Sequence, residues 1–241
     1  MENELYQKFY QVETTHWWFS ARRKIIVDTI KKIIGLKKNS DVLDYGCGTG
    51  GILDLLSEDY NTFGADTSQL AIDFCQKRDL KNILHIPDVL ESPEYRGRFD
   101  MVTVLDVIEH IDDDIGALKG IHPLLKENGY LFVTVPAYQF LYGPYDELTQ
   151  HKRRYVKKNL EKVIMASGFE IVRTSYFNTF LSPLLIVSRL ISAKTGSNND
   201  TDVPNKYINS ILKVIFNSEK YLLRFLSFPF GISIMCIARK K

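Results

Sequence analysis

A chain of 241 residues, of which 45% are hydrophobic, is long enough for one α/β domain with insertions or for a domain with a small cap. Its formal net charge of +2 creates no overall field that would favour nucleic acid as a partner. The three cysteines form no C-x-x-C pair, which argues against a zinc site or a disulfide framework and favours a reducing, cytoplasmic compartment.

The first 40 residues are predicted to be helical, and their polar, acidic start is wrong for a signal peptide. Thr15 is a candidate N-cap for a helix that ends at Gly35. This helix carries two adjacent tryptophans, Trp17 and Trp18, and adjacent helical residues cannot both face one core. Two interpretations stay open: a pair of core aromatics, or a lid over a bound ligand, with Arg22 near the ligand's carboxylate.

A glycine-rich loop follows the first predicted strand, Asp41–Tyr45, and precedes a helix predicted from Gly51 to Ser57. Glycine lets bare backbone approach a ligand, and the N–H groups at the helix start then face that ligand. The dinucleotide fingerprint is G-x-G-x-x-G, whereas this loop is D-x-G-x-G-x-G, with Asp44 two residues before the first glycine. A carboxylate at this position suits a cationic ligand and would repel a pyrophosphate.

Acidic residues also end the next two predicted strands. Asn61–Ala65 runs into Asp66, where an acid either accepts hydrogen bonds from ribose hydroxyls or caps the helix that extends to Lys77. Asn82–Ile86 is followed by Asp88, which is either a turn former or a ligand contact. A buried fourth strand, 99–105, leads through an acidic helix start to a helix predicted to end near 128–129, and 130–135 is the fifth strand.

Beyond the fifth strand, acids, a histidine and cations cluster between residues 146 and 155. This cluster is either a solvated charged loop or an acceptor site in which Arg153 and Arg154 grip a phosphate or carboxylate. Tyr142 and Asp146 would line the same wall. His151 is a candidate general base because the unperturbed pKa of histidine, about 6.5, suits that role. His110, just past the fourth strand, is a second candidate; its alternative is a structural hydrogen bond.

The C-terminal third is predicted to contain a sixth strand, 170–177, a helical insertion and a last strand, 232–238. The insertion has helices at 179–194 and 205–226, separated by a polar loop at 195–203. Its apolar residues recur with helical period between lysines and arginines, so it is either a cap packed on the sheet or an amphipathic surface for a membrane. No apolar run reaches the roughly 18–20 residues that would span a bilayer.

Together these motifs resemble class I S-adenosylmethionine (SAM)-dependent methyltransferases, over about residues 16–177 and the last strand. The glycine loop resembles the family's first motif, and 105–110 looks like the fourth-strand motif of its small-molecule branch (methyltransferase type 11/12), which includes ubiquinone-type O-methyltransferases. The pairing of H-W-W-F-x-A-R-R (16–23) with H-x-R-R-Y (151–155) looks like a bacterial and archaeal subgroup that is often associated with glycan or lipid biosynthesis.

The resemblance implies a Rossmann-like, mostly parallel seven-stranded sheet of order 3-2-1-4-5-7-6, with the last strand antiparallel and helices on both faces. It divides the chain into a helical lid (1–40), a SAM-binding core (41–177), a helical insertion (178–229) and the last strand (230–241). The implied cofactor contacts are Trp17, Arg22, Asp44, Gly46, Cys47, Gly48, Gly50, Asp66, Thr67, Asp88, Val89, Leu105, Asp106 and His110. The acceptor contacts are Tyr142, Asp146, His151, Arg153, Arg154 and Tyr155, with His151 and His110 as catalytic residues.

The implied reaction is methyl transfer from SAM, with S-adenosylhomocysteine as product, to a small molecule that is glycan- or lipid-linked. No metal is expected, because the sequence shows no ligand cluster of the 2-His-carboxylate kind. The expected location is the cytoplasm, with 178–229 as a surface for the inner membrane face. The alternatives are a NAD-dependent oxidoreductase on the same sheet and a non-catalytic SAM-binding or membrane-associated module.

Overall fold

The computed structural model describes residues 3–195 and 203–241, and its centre is a seven-stranded sheet. The strands are β1 (Asp41–Tyr45), β2 (Asn61–Asp66), β3 (Ile83–His85), β4 (Phe99–Leu105), β5 (Leu125–Pro136), β6 (Phe169–Phe177) and β7 (Ser233–Lys240). Their order is β3-β2-β1-β4-β5-β7-β6. Neighbours are parallel from β3 to β5, while β7 runs antiparallel to both β5 and β6. The predicted order and orientation are confirmed.

Helices cover both faces of this sheet. The α-helices within the described residues are α1 (Asn3–Val12), α2 (Trp17–Asp28), α3 (Gly51–Leu56), α4 (Gln69–Lys77), α5 (Ile86–Glu91), α6 (Asp114–Ile121), α7 (Pro144–Leu148), α8 (Lys157–Ala166), α9 (Ser182–Thr195) and α10 (Lys206–Leu223). A π-helical segment, Thr29–Ile34, extends α2 to Gly35, and short 3-10 turns lie at Pro93–Tyr95, Ile108–His110, His122–Leu124 and Gln139–Leu141.

The central strands are largely apolar because both of their faces are buried. In β4, Val102 and Val104 belong to a core that also contains residues of α5, α6 and α8. Met101, one residue before Val102, belongs to a second core with residues of α2, α3 and α10. This alternation is the two-residue period of a strand. Because helices pack on both faces, the carboxyl edge of the sheet, from which the site-bearing loops extend, is held firmly in place.

The predicted helix before β5 is too long. The helix α6 ends at Ile121, and His122–Leu124 forms a 3-10 turn whose proline disfavours further α-helix. β5 already begins at Leu125, which pairs with Phe99, and the register against β4 shifts before Tyr130. The stop signal at 128–129 therefore marks a bend inside β5, where Asn128 has a φ of +64°.

Two other local predictions are corrected. The third strand ends at His85 rather than Ile86, because Pro87 stands in the first turn of α5, a position that proline favours. The N-cap of α2 is His16 rather than Thr15: the Nδ1 atom of His16 accepts a hydrogen bond from the N–H of Trp18 at 3.2 Å. The predicted end of this helical region at Gly35 is confirmed, with a φ of +67°.

The insertion between β6 and β7 packs through α10 against α2. The rings of Trp17 and Phe216 meet edge to face with 6.1 Å between centroids, and Arg224 forms an ion pair with Asp28. The polar loop predicted at 195–203 lies almost entirely outside the described residues. Among the described helices, none is both long enough and apolar enough to cross a bilayer.

Glu219 of α10 ties this helix to the start of the insertion, directly after β6, and makes stability depend on pH. Its side chain is fully buried and accepts hydrogen bonds from the N–H groups of Thr179 (2.7 Å) and Phe180 (2.8 Å). Burial raises its pKa from 4.5 to about 7, although these backbone donors lower it in part. The folded state therefore keeps a proton that the unfolded state loses first, so this residue's contribution to stability falls between about pH 4.5 and pH 7.

We expect Glu219→Gln, which cannot ionise, to be more stable than the wild type above about pH 7 by roughly 2–3 kcal/mol and to differ little near pH 4. Urea unfolding at both pH values measures the difference. The surface variant Glu58→Gln is the control and should show no such dependence. Equal stabilities of the wild type and Glu219→Gln at pH 8 would contradict the assignment.

Candidate active site

A cavity of about 240 Å³ opens at the carboxyl ends of β1, β4 and β5. The predicted residues that line it are Arg22, Asp44, Gly46, Cys47, Gly48, Leu105, Asp106, His110, His151 and Arg154. Glu13 and Trp18, from the N-terminal helical region, line it as well. The structure therefore brings residues from four distant segments of the chain to one site.

The glycine loop forms one wall of this cavity. The N–H groups of Gly46 and Cys47 both donate to the carbonyl of Ala65, at 2.7 and 3.0 Å, which ties the loop to β2. Gly46 has a φ of +81°, and a Cβ there would collide with Val107, so only glycine fits and the backbone stays bare. Gly50, in contrast, packs against Leu80 and lies outside the cavity lining.

Asp44 presents a carboxylate to the cavity from the end of β1. It is 2% exposed, and its Oδ1 atom accepts a hydrogen bond from the hydroxyl of Thr103 at 2.6 Å. Burial raises the pKa of Asp44 to about 6, while Thr103 and Arg22 oppose the rise. A cation in the cavity would favour the ionised form of this group.

Asp66 supports the glycine loop in this structure. Its carboxylate accepts hydrogen bonds from the N–H groups of Gly48 and Ser68, both at 2.9 Å. The side chain is nearly buried and is absent from the cavity lining within the described residues. Ser68 is the N-cap of α4, and in the described structure no side chain caps the first turn of that helix, so Asp66 holds the loop before the helix and does not cap the helix itself. The ribose role stays a prediction.

Glu13, which sequence analysis missed, reaches the glycine loop from beyond the end of α1. Its Oε1 atom accepts a hydrogen bond from the hydroxyl of Thr49 at 2.9 Å, and the same carboxylate forms an ion pair with Arg78. A Cβ at Gly51 would collide with it. The segment around Glu13 therefore lies over the start of α3.

Arg22 of α2 closes the cavity floor against β4 and β5. Its guanidinium forms an ion pair with Asp106 at 2.7 Å and donates to the hydroxyl of Thr134 at 2.6 Å. Trp18 lines the cavity with its ring 5.4 Å from the Arg22 guanidinium, whereas Trp17 packs in the core and borders a second cavity. The two tryptophans do face different environments, but Trp18 takes the cavity position that was predicted for Trp17.

Asp146, His151 and Arg154 form a buried network on the cavity wall that follows β5. The Nδ1 atom of His151 lies 2.7 Å from Oδ1 of Asp146, and Arg154 contacts both carboxylate oxygens at 2.9 Å. Burial raises the pKa of Asp146, but His151 and Arg154 lower it more, and it ends at about 2. The ionised carboxylate can only accept, so Nδ1 of His151 carries hydrogen and the neutral ring has its lone pair on Nε2.

His110 and Glu109 stand beside His151, in the 3-10 turn after β4. The two imidazole rings meet edge to face at 4.7 Å, and Nδ1 of His110 lies 3.2 Å from the carbonyl of Gln150. Burial, reinforced by His151, lowers the pKa of His110. Glu109, His110 and His151 each bring a possible ligand atom within 4.8 Å of the others. The expectation that no 2-His-carboxylate cluster exists was therefore wrong, because His151 is 41 residues away from His110 in sequence.

Several predicted contacts lie away from the cavity. Arg153 pairs with Asp114 at 3.3 Å, and the hydroxyl of Tyr155 donates to the same carboxylate at 2.6 Å, so both point toward the start of α6. The Tyr142 hydroxyl donates to the carbonyl of His151 at 2.8 Å and so supports the loop from behind. The remaining predicted residues outside the described lining are Thr67 and Asp88, which are exposed, Val89, whose side chain is in the core, and Asp146, which is buried behind His151 and Arg154.

Comparison with known proteins places this site in a family. A family model described as a methyltransferase domain matches residues 18–174, which include the glycine loop, the β4 turn and the His151 segment. The chain belongs to this methyltransferase family. It is an enzyme whose methyl donor is SAM, as the motifs of the glycine loop implied.

Curated relatives of this methyltransferase share parts of its length. An uncharacterized protein of Methanocaldococcus jannaschii, MJ0638, is 31% identical over 160 residues, which are 64% of this chain and 68% of that protein. The ubiquinone biosynthesis O-methyltransferase of Pelagibacter ubique is 35% identical over 104 residues, 40% of this chain and 42% of the relative. The matches to ubiquinone biosynthesis O-methyltransferases span between 41% and 59% of the relatives' length.

Solved structures share its fold. In a complex of the Haloferax volcanii Trm112 methyltransferase activator and a putative methyltransferase, the matching chain has a TM-score of 0.61 at 15% identity, with coverage of 98% of this chain and 94% of that one. A putative methyltransferase from Bacillus halodurans has a TM-score of 0.58 at 18% identity, with coverage of 90% and 98%. At such identities the likeness concerns the fold.

The residues present fit SAM. The glycine loop leaves a cradle that a Cβ at Gly46 would disturb, and the carboxylate of Asp44 faces the cavity with no cation except Arg22 close by in the described structure. SAM carries a sulfonium and an α-ammonium, which suit this carboxylate. The glycine loop and Asp44 would therefore hold the methionine end of the methyltransferase's donor.

Proposed function

We propose that this methyltransferase methylates a hydroxyl group of a small, lipid-linked acceptor. A second cavity, of about 300 Å³, carries the proposal. It lies between α2, α9 and α10 and is lined mostly by apolar side chains, including Trp17, Leu184 and Leu212. It shares lining residues with the first cavity: Trp18, Phe19, Tyr145, Arg189 and Ile232. A polar head in the first cavity and a hydrocarbon chain in the second would satisfy both linings.

Bound SAM supplies a methyl group on a positively charged sulfur, which leaves with the electron pair of the broken C–S bond as a neutral thioether. In the proposal, the Nε2 atom of His151 takes the hydroxyl proton as the acceptor oxygen forms its bond to the methyl carbon. Asp146 orients the ring and stabilises the imidazolium that results. The helices α1 and α2 serve as the lid predicted for residues 1–40 and exclude water from the site.

The relatives named ubiquinone biosynthesis O-methyltransferases support oxygen as the nucleophile, although the matches cover only part of their length. The family match leaves the NAD-dependent oxidoreductase without support. A non-catalytic SAM-binding module remains the competing interpretation, and it predicts cofactor binding without any methyl acceptor.

Methyl-labelled SAM tests the proposal. The protein is incubated with labelled SAM and a cell extract, and the products are partitioned between organic and aqueous phases. We expect label in a base-stable ether in the organic phase, with none in a matched reaction that contains His151→Ala. Label confined to aqueous products would contradict the lipid-linked acceptor, and no transfer from any extract would favour the non-catalytic module.

We also propose that the outer faces of α9 and α10 contact an anionic membrane surface. Tyr207, Val214 and Phe225 are 81%, 68% and 82% exposed, and further exposed apolar residues lie along both helices. The cations of α10 and its C-cap, Lys206, Lys213, Lys220 and Arg224, accompany them. An interfacial helix places its apolar residues at the boundary of the acyl chains and its cations among the lipid headgroups.

Flotation with anionic vesicles tests this surface. We expect the wild type to float, and the double variant Tyr207→Ser with Phe225→Ser to bind at least about tenfold more weakly, since each buried aromatic ring contributes up to about 1.5–3 kcal/mol. Met165→Ser removes an exposed apolar residue, 54% accessible, from α8 on the other side of the sheet and is the control. Failure of the wild type to float would favour a cap that packs only on the sheet.

A further inference from the structure

Glu109 is a buried carboxylate whose oxygens have no hydrogen-bond partner in the described part of the chain. Its side chain is 0% exposed. A buried carboxylate of this kind is costly unless it is protonated or meets a cation. The mechanism proposed above gives Glu109 no role.

The two histidines beside Glu109 are held as metal-binding histidines commonly are. Each ring has its Nδ1 atom against an acceptor: Asp146 for His151 at 2.7 Å and the carbonyl of Gln150 for His110 at 3.2 Å. In the neutral rings both Nε2 atoms therefore carry the lone pair. Such outer hydrogen bonds fix the tautomer and orientation of histidine ligands.

Backbone contacts hold the three side chains in this arrangement. The N–H of Lys152 donates to the carbonyl of Glu109 at 2.8 Å, and the N–H of His151 donates to the carbonyl of Asp146 at 2.7 Å. The first contact joins the turn after β4 to the loop after α7. The cluster is therefore built before any ligand arrives, so little ordering would oppose binding.

We propose that Glu109, His110 and His151 bind a divalent cation of the zinc class. Nε2 of His151 lies 3.9 Å from Oε1 of Glu109, and one ligand atom from each residue lies within 4.8 Å of the others. In a tetrahedral zinc site with bond lengths of about 2.0–2.1 Å the ligand atoms lie about 3.4 Å apart, so the separations in this set must shorten by up to about 1.4 Å when the cation binds. Two imidazoles and one carboxylate favour zinc or cobalt over magnesium, which prefers oxygen ligands.

The role of the cation in the reaction rests on the proposed function, because the cation would bind the hydroxyl group that is methylated. His110 and His151 line the first cavity, so the open coordination position faces the acceptor. An acceptor hydroxyl that binds there has its pKa lowered by the cation, as zinc-bound water does. Its proton leaves to solvent, no electron is gained or lost, and His151 acts as a ligand instead of receiving the proton itself.

The test is metal binding by the chelator-treated full-length protein, measured without any methyl acceptor. We expect one Zn²⁺ or Co²⁺ per chain by elemental analysis, visible d–d bands with Co²⁺, a higher melting temperature with Zn²⁺ than with chelator, and no comparable effect of Mg²⁺. Glu109→Gln and His151→Ala should each weaken binding by at least about 100-fold, at or beyond the loss that removal of an outer partner causes. His122→Ala, a histidine outside the cluster, should bind as the wild type does.

The proposal is overturned if the wild type binds no Zn²⁺ or Co²⁺ in stoichiometric amount, or if Glu109→Gln binds as tightly as the wild type. If a variant does not fold, the wild-type Co²⁺ spectrum still decides, because bands typical of nitrogen ligation must appear. Methyl transfer that continues in chelator with metal-free protein would overturn the cation and leave the proposed function standing. Stoichiometric zinc binding together with no methyl transfer to any acceptor would overturn the proposed function and leave the cation site standing.

Discussion

Replacing His151 by alanine is expected to lower turnover by about 10²–10⁴-fold while SAM binds with unchanged affinity. The ring lines the cavity from the loop after α7 and contacts Asp146 and His110, whereas the glycine loop and Asp44 lie at β1. The loss is expected whether the ring accepts the acceptor's proton or ligates a cation that lowers the hydroxyl's pKa. Initial rates with saturating SAM and calorimetric titration of SAM measure the two effects separately.

His122→Ala is the matched control for this prediction. His122 lies before β5, at the opposite edge of the sheet from the cavity, and its ring packs on Phe169 at 4.9 Å. Its removal should leave turnover unchanged. Full activity of His151→Ala would remove His151 from the reaction, and a large loss of SAM affinity would assign it to the donor side of the cavity.

Replacing Arg154 by alanine is expected to destabilise the fold by about 3–5 kcal/mol. The Arg154 and Asp146 side chains are 2% and 0% exposed and form two parallel hydrogen bonds of 2.9 Å. Without the guanidinium, Asp146 keeps its contact with His151, a hydrogen bond of 3.0 Å from the N–H of Gly143 and a longer contact, 3.5 Å, with Arg189, but this buried carboxylate loses its closest cation. Urea unfolding measures the change in the free energy of unfolding, provided that its dependence on urea concentration is the same for the variant and the wild type.

The adjacent Arg153→Ala is the control, because Arg153 is 32% exposed and its ion pair with Asp114 spans 3.3 Å. A partly exposed pair of this kind contributes less than about 1 kcal/mol. Arg154→Lys, which keeps the charge but loses the planar fork, should fall between the two. Equal losses for both alanine variants would contradict the buried network and restore the view that the two arginines act as a pair on the acceptor.

Much of the central sheet could be predicted from local sequence. The bounds of β1 and β4 match the prediction residue for residue, because largely apolar segments that end at Gly46 and Asp106 leave little choice of where the strands stop. The loop after β1 was equally predictable, since its glycines are needed for local reasons: Gly46 has a positive φ and no room for a side chain. Such signals act over a few residues and do not depend on the rest of the chain.

The less accurate predictions involve contacts between distant segments. Glu13 carried no sequence signal, because its partners Thr49 and Arg78 are 36 and 65 residues away. Arg153 and Arg154 look equivalent in sequence, yet successive residues of an extended loop point in opposite directions, so one joins Asp146 and the other Asp114. The long β5 was misjudged because a bend at Asn128 resembles a helix end.

The sequence by itself determined the alternation of strands and helices, the glycine loop and the use of SAM, because backbone conformation and apolar periodicity are written in neighbouring residues. Only the tertiary structure decided which tryptophan faces the cavity, that Asp146 orients His151, and that Glu109, His110 and His151 meet. The physical reason is that burial and charge pairing depend on which segments the sheet brings together. The turn after β4 and the loop after α7 become neighbours only when β5 is paired beside β4.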